Sequence, residues 1–157
     1  EYAHYNVSPV GRLDIDTEGL LLLTNDGAFN HDVTSPKKNV YKRYFARLDK
    51  PAEQADIAAF AAGMEFKGFT AKPAVLEITD DPREVYIEIA EGKFHQVKRM
   101  FLSRDNEVRF LRRVSIGGLE LDSSLPLGGF RELTREQAEK VFETQDHFVT
   151  GAAADNE

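Results

Sequence analysis

Alternating apolar and polar positions predict several short strands in this chain. Strand-like patterns cover residues 20–24, 40–48, 74–79, 84–90 and 108–116. Residues 74–79 and 84–90 alternate with a period of two around Asp80-Asp81-Pro82-Arg83, which is typical of an antiparallel hairpin. The continuous apolar run at 20–24 is followed by Asn25-Asp26-Gly27 and predicts a strand that is buried on both faces.

Helical spacing of apolar residues predicts four short helices. They are expected at 28–34, directly after Pro51, at 93–103 and directly after Thr134. Their buried faces are expected to hold Ile57, Phe60, Ala61 and Met64 in the second helix, Phe94, Val97 and Phe101 in the third, and Ala138, Val141 and Phe142 in the last. Thr134 and Gln137 have the spacing of a capping box. Short helices between mainly antiparallel strands predict an α+β fold, with a mixed sheet and flanking helices.

Length and composition favour one folded domain. A chain of 157 residues with 41% hydrophobic and 30% charged residues can bury a core, which excludes collagen-like and wholly disordered proteins. We expect the domain to span 1–149 and a disordered tail to follow at 150–157. The absence of cysteine excludes a disulfide framework, a thiolate zinc site and a cysteine nucleophile. No apolar run is long enough for a membrane helix and no signal peptide is recognisable, so we expect a cytoplasmic protein.

The formal net charge of -7 hides two basic segments. Residues 37–50 contain six Lys and Arg residues and one Asp, and residues 93–113 contain seven Lys and Arg residues and two acidic ones. Aromatic residues lie between these cations, as they do in proteins that bind nucleic acid. The alternative is an ordinary solvated surface, because charged clusters are also common on proteins that bind nothing. Composition alone leaves both interpretations open.

Three carboxylates alternate with other residues in segment 11–19, at Asp14, Asp16 and Glu18. A calcium loop would place a bidentate Glu at its twelfth position, which here is Asn25, so that interpretation fails. A glycosidase needs two carboxylates at a defined separation, and closeness in sequence is no evidence for one. The signal for a glycosidase is therefore weak, and the stronger interpretations are a solvated turn and a single nucleophilic carboxylate.

Two longer segments resemble the signatures of a known enzyme family. Residues 11–27, GRLDIDTEGLLLLTNDG, resemble the catalytic motif of the bacterial ribosomal RNA pseudouridine synthases of the RsuA/RluB/RluE/RluF family. Residues 91–100, EGKFHQVKRM, resemble its second signature, in the version most similar to the members that act on 16S, small-subunit ribosomal RNA. Residues 126–134 resemble its closing motif, so the resemblance extends from about residue 10 to residue 143.

This resemblance implies that the protein isomerises a specific uridine of ribosomal RNA to pseudouridine, with 16S ribosomal RNA or a small-subunit assembly intermediate as substrate. Asp14 is the implied nucleophile, Lys98 its basic partner, and Tyr44 the residue that stacks on the target base. Arg12 is implied to fill the gap that the extruded base leaves. Leu133 either lines the uracil pocket or belongs to the core. No metal and no organic cofactor is implied, and we expect a monomer.

Helical spacing adds an expectation for Lys98. At about 100° per residue, Lys98 lies about 40° from Phe94, so its side chain is expected near the buried stripe and needs a carboxylate partner. Arg99 is turned further away and suits a phosphate. Further contacts with RNA are expected from His95, Gln96, Arg112 and Arg113.

Members of this family also carry an N-terminal S4-like RNA-binding domain and a strand with a lysine-proline motif, neither of which is found in these 157 residues. The first residue is Glu1 rather than Met, so we expect a catalytic domain that is incomplete at its N-terminal end, with weaker RNA affinity and an open sheet edge. Three alternatives stay open: a non-catalytic RNA-binding module of the same fold, a synthase acting on large-subunit ribosomal RNA or tRNA, and a carbohydrate-active enzyme that uses Asp14 and Glu18.

Overall fold

The computed structural model describes residues 5–143. Its strands are β1 (Ser8–Pro9), β2 (Glu18–Gly19), β3 (Leu23–Thr24), β4 (Lys42–Leu48), β5 (Met64–Phe66), β6 (Phe69–Ala71), β7 (Val75–Ile78), β8 (Glu84–Ile89), β9 (Val108–Ile116) and β10 (Leu119–Glu120). Its α-helices are α1 (Gly27–Thr34), α2 (Gln54–Ala62), α3 (Gln96–Leu102) and α4 (Arg135–Ala138), and 3₁₀ turns cover Pro36–Lys38 and Glu139–Phe142. No helix in this part of the chain is long and apolar enough to cross a membrane.

Six strands form one mixed, mainly antiparallel sheet. Five of them follow the order β10-β9-β4-β8-β7 with antiparallel neighbours, and β2 runs parallel to β9. The predicted hairpin is formed by β7 and β8, in which Val75 pairs with Glu88 and Ile78 with Val85. Two small antiparallel ladders join β1 to β3 and β5 to β6. The predicted α+β fold with a mixed, mainly antiparallel sheet is therefore confirmed.

The main core lies between the sheet and helices α2 and α3. Alternate residues of β4 and β8 point into it, among them Ala46 and Ile87, which are fully buried. Phe60 of α2 meets Phe101 of α3 edge to face, with ring centroids 4.9 Å apart. Burying one such ring contributes about 1.5–3 kcal/mol. This packing holds α3 against the sheet, and α3 carries Lys98.

A smaller core joins the N-terminal segment to the end of β9. Val10, Leu22 and Ile116 are buried in it, together with Val141 of the last 3₁₀ turn. The contact requires glycine at position 117, where a Cβ atom would lie 1.8 Å from the carbonyl oxygen of Val141 and φ is +54°. This core positions the segment that leads from β1 to Asp14.

The leucine-rich run at 20–24 is not the continuous buried strand that its pattern predicts. β2 pairs with β9 and β3 pairs with β1, so the run is divided between two different partners. Leu22 is buried, but Leu21 is 39% exposed and Leu23 is 58% exposed, and both line an open groove of about 710 Å³. The prediction of burial on both faces is wrong because only one side of the run is covered.

Helix α2 begins later and ends earlier than predicted. It starts three residues after Pro51, where the carboxylate of Asp56 accepts a 2.9 Å hydrogen bond from the backbone N–H of Glu53. It ends at Ala62, directly before Gly63, whose φ of +81° is unfavourable for other residues. Met64 therefore lies in β5 and not on the helix face, as predicted from its spacing.

Helix α3 also begins later than predicted, at Gln96. His95 has a left-handed backbone conformation, with φ of 49°, which turns the chain away from the helix axis just before the helix starts. Phe94 is consequently outside the helix and 75% exposed, so its predicted burial is wrong. Val97 and Phe101 are buried, as predicted.

Helix α4 begins with the predicted capping box. The backbone N–H of Thr134 donates to the side chain of Gln137 at 3.0 Å, and the backbone N–H of Gln137 donates to the Thr134 hydroxyl at 3.1 Å. Val141 is buried as predicted, whereas Phe142 is 43% exposed because the chain continues as a 3₁₀ turn with a different periodicity. The predicted tail at 150–157 and the domain boundary at 149 lie outside the described residues.

Candidate active site

The segment of alternating carboxylates folds into a tight turn between β1 and β2, which we call the Asp14 turn (residues 14–17). The backbone N–H of Thr17 donates a 2.9 Å hydrogen bond to the carbonyl oxygen of Asp14. The side chain of Asp14 is 28% exposed, while that of Asp16 is 68% exposed. Asp14 is therefore the more enclosed of the two carboxylates.

Strand β9 holds the Asp14 turn in place through one close backbone contact. At Gly19 a Cβ atom would lie 2.2 Å from the carbonyl oxygen of Arg113, and φ is +115°. The N–H of Leu20 donates to that carbonyl oxygen at 2.9 Å, and the Nε of Arg113 donates to the Leu20 carbonyl oxygen at 2.8 Å. Only glycine fits such an approach, so this position fixes the turn against the sheet.

A buried carboxamide supports the loop that precedes α3. Gln96 is 3% exposed; its Nε2 donates to Glu91 at 3.0 Å, and its Oε1 accepts from the N–H of Lys93 at 3.1 Å. Glu91 is also buried and accepts from the N–H of Lys72 at 2.7 Å. These bonds tie the loop to buried groups, which holds His95 in place.

The Asp14 turn and α3 meet at a cluster of four charged or titratable side chains. The Nζ of Lys98 lies 3.3 Å from Oδ2 of Asp14 and also donates a hydrogen bond to Asp16. The Nε2 of His95 lies 3.8 Å from Oδ1 of Asp14, which is too long for a hydrogen bond. The structure thus brings Lys98 next to Asp14, although the two residues are far apart in sequence.

Lys98 and Asp16 stabilise each other's charged forms. The hydrogen bond from Lys98 is the largest influence on Asp16, and it lowers the pKa of that carboxyl. Partial burial favours a lower pKa for Lys98, but its hydrogen bonds to Asp16 and Asp14 and their negative charges outweigh burial and raise it. Lys98 therefore stays an ammonium at neutral pH, fixed beside the Asp14 carboxylate. A carboxylate held in this way can act as a nucleophile.

The other side chains implied for the active site have three different surroundings. Arg12 is exposed and precedes Asp14 by two residues. Tyr44 is half-buried on β4 and packs against the main core, on the side of the sheet that α3 covers. Leu133 packs against the smaller core and also lines the open groove next to Leu21 and Leu23, so its position is compatible with both alternatives.

Two residues predicted to contact RNA are buried and support the fold. Gln96 holds the loop before α3, and Arg113, which is 3% exposed, binds the carbonyl oxygen of Leu20. Neither side chain is accessible to RNA in this structure, which contradicts the prediction for both. Their polar character was visible in the sequence, but their depth depends on neighbours from distant segments.

Arg99 and Arg112 are partly accessible, and each has an intramolecular partner. The guanidinium of Arg99 lies over the rings of Phe66 and Phe69, 5.3 and 4.5 Å from their centroids. Arg112 forms a 3.3 Å ion pair with Glu18. Glu18 directly follows the Asp14 turn and is also the register partner of Arg112 in the pairing of β2 with β9, so Arg112 lies next to the turn with its charge already paired.

The two basic segments do not form one continuous basic face. The acidic partners of their arginines are Glu77 and Glu88 for Arg43, Glu84 for Arg47, Asp56 for Arg104, and Asp49 and Glu107 for Arg109. Within residues 5–143, nine cationic side chains are exposed and form no ion pair: Arg12, Lys37, Lys38, Lys50, Lys67, Lys72, Arg83, Lys93 and Lys140. Most arginines of the two basic segments are therefore neutralised, and the unpaired cations are mainly lysines.

Sequence reasoning missed Asp16 as a partner of Lys98 and misplaced Phe94. The signal for Asp16 is its position two residues after Asp14 within a turn. For Phe94, the available signal is Gly92, a helix-breaking residue two positions before it, which favours a helix that begins after Phe94. In the described part of the chain, no group of three or more His, Cys, Asp or Glu side chains is arranged to hold a metal ion.

Comparison with known proteins places this chain in one enzyme family. Residues 1–103 match the family described as RNA pseudouridylate synthase. The chain belongs to this family. A crystal structure of a pseudouridylate synthase superposes with a TM-score of 0.82 at 46% sequence identity, over 86% of this chain and 59% of that one.

Named relatives come from several bacteria. The uncharacterized RNA pseudouridine synthase YtzG of Bacillus subtilis is 44% identical over 92% of this chain and 62% of its own length. Ribosomal small subunit pseudouridine synthase A of Haemophilus influenzae is 47% identical over 83% of this chain and 57% of its own length. The protein of the same name from Escherichia coli is 43% identical over 87% and 60%, respectively. The chain thus spans 57–62% of the length of these relatives.

Proposed function

We propose that this chain isomerises a specific uridine of ribosomal RNA to pseudouridine, and that its substrate is 16S ribosomal RNA or a small-subunit assembly intermediate. The observation that carries the proposal is the enclosed carboxylate of Asp14 with the ammonium of Lys98 at 3.3 Å, in a member of the RNA pseudouridylate synthase family. The names of the Haemophilus influenzae and Escherichia coli relatives support the small subunit as target. The protein acts as a monomer in the cytoplasm under this proposal.

The reaction rearranges one nucleoside without net oxidation or loss of atoms. The bond between N1 of uracil and C1′ of ribose breaks, the base turns, and a bond forms between C5 and C1′. A proton leaves C5 and N1 gains one, so the balance requires no cofactor. Asp14 supplies the nucleophilic carboxylate, and Lys98 is the fixed positive charge beside it.

Other side chains bind and position the RNA. A uridine inside a helix must leave its stack to reach Asp14, which costs a few kcal/mol. We assign Arg12 to the space that the base vacates and Tyr44 to stacking on the extruded uracil. We assign His95, at the edge of the cluster, to contact with RNA and Arg99 to a phosphate.

Replacement of Asp14 tests the proposal directly. With a 16S transcript labelled with tritium at C5 of uridine, the wild type releases tritium, and Asp14→Asn releases none above background. Binding of the transcript should change less than about twofold, because one carboxylate contributes little to the attraction for a polyanion. Asp80→Asn, at an exposed carboxylate in the turn between β7 and β8, is the matched control and keeps full activity.

Each other outcome has a distinct meaning. Tritium release by Asp14→Asn at the wild-type rate would refute the nucleophile. Tight RNA binding without tritium release by the wild type would identify a non-catalytic RNA-binding module. Release from 23S or tRNA transcripts but not from 16S transcripts would overturn the proposed target. Hydrolysis of a glycoside in the absence of RNA would favour a carbohydrate-active enzyme.

A further inference from the structure

Phe94 presents one open aromatic face at the edge of the candidate site. Its side chain is 75% exposed. The ring lies flat against the imidazole of His95, with ring centroids 3.8 Å apart and 15° between the ring planes. Because His95 covers only one face of the ring, the other face is accessible to a planar ligand.

The stacked pair of Phe94 and His95 adjoins the candidate nucleophile. The Nε2 of His95 lies 3.8 Å from Oδ1 of Asp14, so only one side chain separates Phe94 from that carboxylate. Residues 93–99 contain the cations Lys93, Lys98 and Arg99 and no carboxylate. Single-stranded RNA has the complementary chemistry, since its bases are flat and its backbone is negatively charged.

The fold itself holds this ring in its exposed position. The side chain of Gln96 is bonded to Glu91 and to the N–H of Lys93, which fixes the loop on both sides of Phe94. His95 keeps a φ of 49°, a conformation that is uncommon and energetically unfavourable for a residue other than glycine. The surrounding bonds maintain this conformation, and the result is a ring displayed to solvent.

We propose that Phe94 is a base-stacking residue whose open face receives an unpaired base next to the target uridine. This inference rests on the proposed function and adds a substrate contact to it. A stack of base, Phe94 and His95 holds the strand at the edge of the site after the uridine has left its helix. The exposed ammonium of Lys93 is adjacent and available to the phosphate of that nucleotide. Paired bases of double-stranded RNA do not present the required face.

Fluorescence measures the stacking without any turnover. The chain contains no tryptophan, so Phe94→Trp in an Asp14→Asn background places a single indole at this position. We expect a single-stranded RNA decamer to quench its emission, and an abasic decamer with the same backbone to leave it unchanged at equal occupancy. Leu102→Trp is the matched control, because Leu102 is 58% exposed at the opposite end of α3. Equal responses to both oligomers, or no response at saturation, would overturn the proposal.

Kinetics give a second, independent measurement. On a 16S transcript, Phe94→Ala should raise KM about tenfold or more, which is within the range found when a stacked base loses its aromatic partner. The value of kcat should change less than about twofold, and Phe94→Tyr should restore KM because it keeps the ring. Leu102→Ala should match the wild type. A wild-type KM in Phe94→Ala would contradict the proposal.

The two measurements also separate this inference from the proposed function. If the wild type releases no tritium while Phe94→Trp is quenched by RNA and not by the abasic oligomer, the proposed function fails and the stacking contact stands. If the wild type is active while Phe94→Trp gives no quenching and Phe94→Ala keeps its KM, the function stands and the stacking contact is refuted.

Discussion

At the scale of single residues, one lysine serves two carboxylates with different exposures. Lys98 donates to Asp16, which faces solvent, and lies 3.3 Å from Asp14, which is largely enclosed. Fixing a long side chain costs up to about 2 kcal/mol in rotamer entropy, and contacts with both carboxylates offset this cost for Lys98. Asp16 therefore positions the ammonium, while Asp14 is left with an oxygen that is not hydrogen-bonded to His95.

We predict that Lys98→Met lowers kcat about 100-fold or more and changes RNA affinity much less, because the fixed charge beside the reactive carboxylate is removed. Lys93→Met is the matched control: this exposed lysine should affect KM and its salt dependence, with kcat nearly unchanged. Tritium release at saturating RNA gives both parameters. If the two variants show the reverse pattern, Lys98 is an RNA ligand and not the partner of Asp14.

At the scale of elements, the Asp14 turn depends on its attachment to β9. The turn itself contains little apolar surface, and Ile15 at its tip is fully exposed. Its position derives from the parallel pairing of β2 with β9 and from the two bonds between Leu20 and Arg113. Because the turn has no core of its own, its position depends on these contacts with β9.

We predict that Gly19→Ala lowers the free energy of unfolding by at least about 2 kcal/mol and lowers kcat, since the new methyl group would lie 2.2 Å from the Arg113 carbonyl oxygen. Gly27→Ala, at the first position of α1, is the control: a Cβ atom there meets nothing within 4 Å. It should leave stability equal or raise it by up to about 1 kcal/mol. Urea denaturation checks both values, and equal midpoints would show that β9 can yield at Gly19.

At the scale of the whole molecule, two titratable groups, the partly buried Lys42 and the buried Glu88, make stability depend on pH in opposite directions. Burial, with a smaller contribution from the charge of Arg113, lowers the pKa of Lys42 from 10.5 to about 8. Burial raises the pKa of Glu88 from 4.5 to about 7, although the hydrogen bond from Arg43 opposes the rise. Between pH 4.5 and 7 the folded chain retains a proton on Glu88, so stability falls as pH rises. Between about pH 8 and 10.5 the unfolded chain retains a proton on Lys42 that the folded chain has lost, so stability rises as pH rises.

We predict that the contribution of these groups to the free energy of unfolding is smallest near pH 7–8 and grows towards both ends. One group can change it by at most about 1.4 kcal/mol per pH unit. Urea denaturation from pH 4.5 to 10.5 measures the profile. Lys42→Met should remove the increase in stability above pH 8 and keep the decrease in stability between pH 4.5 and 7. Glu88→Gln should remove that decrease and keep the increase above pH 8. A rise that persists unchanged in Lys42→Met would contradict the assignment to Lys42.

Local periodicity explains which elements could be predicted. The β7–β8 hairpin, strands β4 and β9 and helix α1 follow from patterns that need only neighbouring residues, and each was found near its predicted position. The run at 20–24 and Phe94 were misplaced because their burial depends on what covers them. No periodicity reports that the leucine run has two different partners, or that the backbone of His95 turns Phe94 outward.

The amino-acid sequence by itself determined the fold class, the family resemblance and the identity of Asp14 and Lys98 as the residues of interest, since these depend on the order of residue types. The tertiary structure alone decided that Asp16 shares the ammonium, that Gln96 and Arg113 are buried, and that most arginines of the basic segments are neutralised. Depth and charge pairing arise between segments dozens of residues apart. Such properties exist only once the chain has folded and water has been excluded.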